Sequence, residues 1–222
     1  MSEELDQRQQ VAEARANLYR FLAQLYLAPP TDELLARLAE EDFKQHLETV
    51  FESGGTALIR ALAGYLDPDA LRLEYDALFR VPGERYLCPY ESVYRGRRVV
   101  DDQVVNGTVW GPYTAEVERL YALAGARLAQ DLVELPDFIG LELLFMAYLC
   151  EQEAGAWAAG DGDLARRHLA LQRHFLAQHL SRWLDGLCDE ILARAKLDFY
   201  VGLAELSRAF LAADCADVQR WT

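Results

Sequence analysis

The sequence predicts an all-α protein: a single-domain bundle of about eight to ten helices over residues 1–222, interrupted by one long ordered loop at about 81–112. Three observations predict it. Alanine (32) and leucine (37) make up nearly a third of the 222 residues, whereas isoleucine (3) and threonine (6) are scarce, so helix formers displace strand formers. Apolar residues recur at helical spacing through both ends of the chain. Between Val81 and Pro112 that period vanishes, and six of the 13 valines crowd into positions 93–109.

Val11, Ala14, Leu18, Phe21, Leu22 and Leu25 form one apolar face, and Pro29 and Pro30 stop that helix. Short helices are expected over about 32–40, 42–52 and 56–66. Asp67 followed by Pro68 reads as an N-cap with proline in the first turn. The stripe Leu71, Tyr75, Leu78 and Phe79 then runs to a helix end near Arg80. The next segment holds four glycines and three prolines, with short extended pieces possible around VYRGRRVV and QVVNGTV. Its aromatic residues Tyr86, Tyr90, Tyr94 and Trp110 would bury area if docked, which argues for order and for a functional loop.

After Pro112, a further helical face comprises Val117, Leu120, Tyr121, Ala124 and Leu128. Pro136 and Asp137 are expected to open a helix whose N-terminal dipole the carboxylate complements. Residues 138–149 are apolar nearly all round, which predicts a central, buried helix. GDGD at 160–163 marks a turn, Leu169, Leu176, Leu180, Trp183 and Leu187 follow at helical spacing, and Phe199, Leu203, Leu206 and Phe210 mark the last helix.

Composition excludes several function classes. A formal charge of −14, with no basic run, opposes binding to nucleic acid or to an anionic membrane surface. The N-terminal MSEELDQRQQ is too polar for a signal peptide, and the apolar run FIGLELLFMAYLC is too short to span a bilayer, which predicts a cytoplasmic protein. Four widely spaced cysteines form no C-x-x-C pair and read as free thiols. His168, His174 and His179 lack the i, i+4 spacing of a helical metal site and read as solvated or capping side chains. No phosphate-cradle or nucleophile-elbow motif occurs, so neither metal nor cofactor is expected. Among acids, Glu84, Glu91 and Asp137 lie in or beside the unusual loop, and Glu142 lies inside the apolar helix. A small-molecule enzyme using Glu84, Glu91 and Asp137 would need these to converge on one pocket.

Three stretches carry a family resemblance. EYDALFRVPGERYLCPYESVYRG (74–96) joins an LF helix end to a proline–aromatic PYESVY loop, LPDFIGLELLFMAYLCEQEA (135–154) opens on Pro-Asp, and FLAQHLSRWLDGL (175–187) runs through a tryptophan. In this order they resemble the TorD/DmsD/NarJ-type redox-enzyme maturation chaperones. The resemblance implies an all-helical cytoplasmic chaperone, not an enzyme, without a cofactor. Its implied partner is the precursor of a molybdopterin-containing oxidoreductase, held at a twin-arginine signal peptide or as apoenzyme until the cofactor is inserted, which prevents premature export. A monomer or a domain-swapped dimer is compatible with it.

Transferred by position, the implied signal-peptide-binding residues are Leu78, Phe79, Pro89, Tyr90, Glu91, Ser92, Tyr94, Pro136 and Asp137. Leu78, Phe79 and Tyr90 would form an apolar groove, with Glu91 and Asp137 at its rim to meet guanidinium groups. Two positions depart from the family pattern: Phe138 stands where histidine is frequent, and Leu144 stands where a carboxylate is common.

Overall fold

A computed structural model describes residues 2–41, 56–64, 66–129 and 133–220. The described helices are α1 (Ser2–Leu27), α2 (Asp32–Leu38), α3 (Thr56–Ala63), α4 (Pro68–Tyr75), α5 (Glu91–Arg95), α6 (Pro112–Leu123), α7 (Ile139–Ala158), α8 (Gly162–Gln178), α9 (Leu184–Arg194) and α10 (Asp198–Arg220). A π-turn (Asp76–Arg80) continues α4, a 3-10 turn (Leu180–Arg182) follows α8, and strands β1 (Arg98–Val100) and β2 (Gln103–Val105) form one antiparallel hairpin. The all-α class is therefore observed, with one small β-ribbon added. The helix expected over 42–52 lies outside the described residues.

The chain divides into two compact units, each built from separated stretches. One comprises Met1–Gln24, Tyr90–Trp183 and Cys215–Thr222, and the other Leu25–Pro89 and Leu184–Asp214. Two boundaries fall inside the continuous helices α1 and α10, where no linker composition marks them.

In the second unit, Asp67 Oδ1 accepts from the Asp69 and Ala70 amides, so the predicted cap starts α4. At its far end the Val81 amide reaches back five residues to the Asp76 carbonyl at 2.7 Å, the signature of a π-turn. Widening this turn sends both Leu78 and Phe79 inward. The Phe79 ring lies 5.6 Å from Tyr26, 5.4 Å from Tyr75 and 6.0 Å from Tyr200. Each tyrosine hydroxyl has a partner: Tyr75 donates to the Tyr26 carbonyl, Tyr200 to the Leu71 carbonyl, and Tyr26 meets Ser207 Oγ. Phe79→Ala is expected to cost about 3–5 kcal/mol in chemical denaturation, because it empties a closed aromatic cluster; a loss below about 1 kcal/mol would contradict this packing.

In the first unit, α7 packs against α8. Tyr121, Phe145 and Phe175 stack between α6, α7 and α8, with ring separations of 4.4 and 4.9 Å. The buried Glu153 is neutralised by Arg15 at 3.2 Å and accepts from Gln172 at 2.9 Å and from the Trp157 indole at 3.0 Å. Helix α6 ends at Leu123, short of the predicted Leu128. Gly125 takes a left-handed φ of +78°, and the Ala126 amide closes the end on the Tyr121 carbonyl. No helix among the described residues is long and apolar enough to cross a membrane.

Candidate functional site

The loop 81–112 is more regular than its composition suggests, because the first unit gives α5 an external cap. Tyr90 and Phe138 form an isolated antiparallel bridge with their rings 5.4 Å apart. That bridge brings Asp137 to the start of α5, where its carbonyl accepts from the Glu91 amide and its Oδ2 from the Ser92 amide, both at 2.9 Å. The sequence assigns Asp137 to the start of its own helix α7, but the structure uses it to cap α5: the N-cap of α7 is Phe138, which has no capping side chain. Phe138, standing in the family's histidine position, is buried beneath Tyr90.

Beneath α5 lies a polar cluster sealed from solvent: Glu91, Asp137, Glu142 and His179. Glu91 is held by Arg95 at 2.5 Å and by His179 Nδ1 at 2.8 Å. Facing a carboxylate, Nδ1 is the nitrogen that carries the proton. Arg95 also donates to the Gln178 carbonyl at 2.7 Å and sits 3.9 Å above the Tyr113 ring. Glu142 Oε2 accepts from the Trp183 indole at 3.0 Å, and the Tyr121 hydroxyl donates to the Pro136 carbonyl at 2.8 Å.

Burial pushes the Glu142 carboxyl well above the usual carboxylate range, helped by the negative charges of Glu91 and Asp137, with the Trp183 hydrogen bond opposing. A proton on Glu142 removes its repulsion with the neighbouring Glu91 and Asp137 carboxylates. Burial likewise raises the Tyr121 phenol, and the same three acids add to it. In and beside this cluster, four buried side-chain atoms have no protein partner among the described residues: Ser92 Oγ, Asp137 Oδ1, Glu142 Oε1 and His179 Nε2.

Tyr90, Glu91, Ser92, Tyr94, Pro136 and Asp137 come together in the first unit, whereas Leu78, Phe79 and Pro89 belong to the second. Leu78 and Phe79 are core residues of their unit rather than an open groove wall. Glu91 and Asp137 lie in the interior and not at a rim, because one is paired with Arg95 and hydrogen-bonded to His179 and the other is consumed in capping. Tyr94 is buried against Trp183, 5.4 Å between rings. Tyr90 alone among the nine stays half-buried, its hydroxyl on Glu134.

Glu84 is exposed in the second unit, in a shallow open depression with Pro82, Arg85 and Lys196, so neither unit assembles the three-carboxylate constellation an enzyme would need. Among the described residues no group of three or more His, Cys, Asp or Glu is placed to hold a metal ion. The sequence reading gives His179 and Trp183 no place in this cluster. The run 169–187 reads as one helix, but it breaks at the C-cap His179, and the 3-10 turn rotates both side chains inward; His179 is buried, not solvated.

Comparison with known proteins agrees with this architecture. The sequence profile of the nitrate reductase delta subunit family matches residues 9–189. The chain belongs to this family, that of the TorD/NarJ-type redox-enzyme maturation chaperones. It is 25% identical over 216 residues to the chaperone protein TorD of Vibrio cholerae serotype O1 (strain ATCC 39541), covering 92% of this chain and 93% of that one. A selenate reductase assembly chaperone protein of Thauera selenatis is 33% identical over 128 residues, covering 54% of this chain and 59% of the relative. A crystal structure of a protein assigned to redox enzyme maturation, from Archaeoglobus fulgidus, shares the fold at 17% identity with a TM-score of 0.53, over 87% of this chain and 92% of that one.

Proposed function

We propose that this TorD/NarJ-type protein is a cytoplasmic assembly chaperone for the catalytic subunit of a molybdopterin-containing oxidoreductase. It holds the client by a twin-arginine leader, or in its apo form, until the cofactor is inserted. The observation that carries this reading is the family match over residues 9–189, joined by relatives that are themselves named as chaperones. Within the chain, the reading places recognition around Tyr90. Glu91, Ser92, Tyr94, Pro136 and Asp137 fix the backbone behind it, and Leu78, Phe79 and Pro89 shape the second unit.

This division of labour gives Tyr90 a distinct signature. Tyr90→Ala is expected to weaken binding of a synthetic arginine-pair leader peptide by about tenfold in titration calorimetry, with thermal stability little changed, because its ring is half-buried. Absence of any heat with leader peptides of several molybdopterin oxidoreductases, from a chain folded by circular dichroism, would overturn the proposal.

A further inference from the structure

The residues that the sequence nominated for contact lie mostly inside, yet the segment they support reaches outward. Gly96 and Gly107 close the base of the β1–β2 hairpin backbone to backbone: a Cβ on Gly96 would sit 2.8 Å from the Gly107 Cα, and one on Gly107 would overlap the Ser92 carbonyl. The Gly107 amide donates to the Val93 carbonyl at 2.9 Å, and Arg97 bonds Asn106 while stacking 4.0 Å over Tyr94. The hairpin is therefore rooted on α5, directly above the turn capped by Asp137.

Beyond that root it is bare. Every residue of both strands is exposed, and Val99 and Val104, a cross-strand pair, are each 70% exposed. A two-stranded ribbon is marginal alone, and paired valines on its open face gain nothing from water. Asp101 and Asp102, both at positive φ, close a two-residue turn between Val100 and Gln103. In such a hairpin the second pair from the turn, Val99 with Val104, is the non-hydrogen-bonded one, so its amide and carbonyl groups point off the ribbon edges and can accept a further strand. The two aspartates are exposed and make no ion pair or side-chain hydrogen bond among the described residues.

We propose that the β1–β2 hairpin, joined to Tyr90 through α5, extends the recognition site there into a docking surface for the client's leader, which adds as an extended strand along the ribbon. The leader's apolar stretch covers Val99 and Val104, and its arginine pair meets Asp101 and Asp102. This rests on the chaperone reading above. Charge complementarity argues for that occupant: paired acids beside an apolar ribbon match paired guanidinium groups beside an apolar stretch. The size of the surface argues against a second copy of this chain, since two three-residue strands fall well short of the ~800 Å² per partner of a stable dimer.

The test compares the full chain with two double variants, Val99→Ser/Val104→Ser and Asp101→Asn/Asp102→Asn. The first alters exposed side chains only, and asparagine tolerates the left-handed backbone of the turn. Each is titrated with a synthetic peptide carrying an arginine pair followed by an apolar stretch, and with the same peptide bearing two lysines. Loss of affinity by about tenfold or more in both variants, with the aspartate variant no longer distinguishing arginine from lysine, is the expected result. Wild-type affinity in both variants overturns the hairpin site and leaves the chaperone reading standing. Failure of the unaltered chain to bind the arginine peptide at all overturns both. A wild-type dimer in sedimentation that the valine variant converts to monomer would assign the face to a second copy and overturn the proposal.

Discussion

Gly202→Ala is expected to destabilise the second unit by about 3 kcal/mol or more, an effect at the upper end for adding a single methyl group. Gly202 lies in α10 where that helix crosses α3, and an added Cβ would fall 2.5 Å from the Leu58 Cα, with the Leu58 amide nitrogen closer still. Those are backbone atoms of a helix, so no side-chain rotation relieves the overlap; the helices must separate and give up the packing around Leu58 and Leu203, both buried. Ala gains about 1 kcal/mol of helix propensity over Gly, which offsets only part of this loss. Urea denaturation monitored by far-ultraviolet circular dichroism measures the sum. A variant as stable as wild type would show that the close crossing of α3 and α10 is absent.

The second large effect is a pH dependence with a defined sign. Folded Glu142 keeps its proton at pH values where the unfolded side chain has lost it, so folding takes up a proton over that interval. The contribution is fully present below the ordinary value of 4.5 and drains away as pH rises through the raised folded value. Glu142→Gln, an uncharged amide close in shape to the protonated acid that can still accept from Trp183, is expected to flatten that decline and to exceed wild type in stability as pH rises. Glu142→Leu leaves the Trp183 indole without its partner inside the unit, and a loss of about 1–3 kcal/mol is expected at every pH. Denaturation midpoints between pH 4.5 and 8 separate these outcomes; a glutamine variant with the wild-type pH slope would mean that Glu142 is ionised in the fold.

Both effects concern groups whose importance is unevenly legible in the chain. The stripe Leu71, Tyr75, Leu78 and Phe79 is readable because one helix face repeats at fixed spacing, and all four residues are indeed buried. Glu142 stands out as an acid inside an apolar run, but its partner Trp183 lies 41 residues away across a helix break that spacing alone does not reveal. The hairpin is half legible: the valine cluster and its flanking glycines mark extended structure, whereas the exposure of both its faces follows only from what fails to pack on it. The resemblance sets Glu91 and Asp137 at a rim to meet guanidinium groups, and the structure reverses this by supplying the Arg95 guanidinium to one and backbone amide donors to the other.

What the sequence by itself determined is local. Residue propensities and apolar spacing set the helical class, the cap at Asp67 and the turn at 160–163, and the order of three motifs identified the family, because each depends on residues within a few turns of one another. Only the tertiary structure decided which carboxylates are neutralised, which helix Asp137 caps, and that the ribbon 98–105 stands bare. Those depend on desolvation and on partners brought together from 40 to 90 residues away, a distance over which side-chain periodicity carries no information.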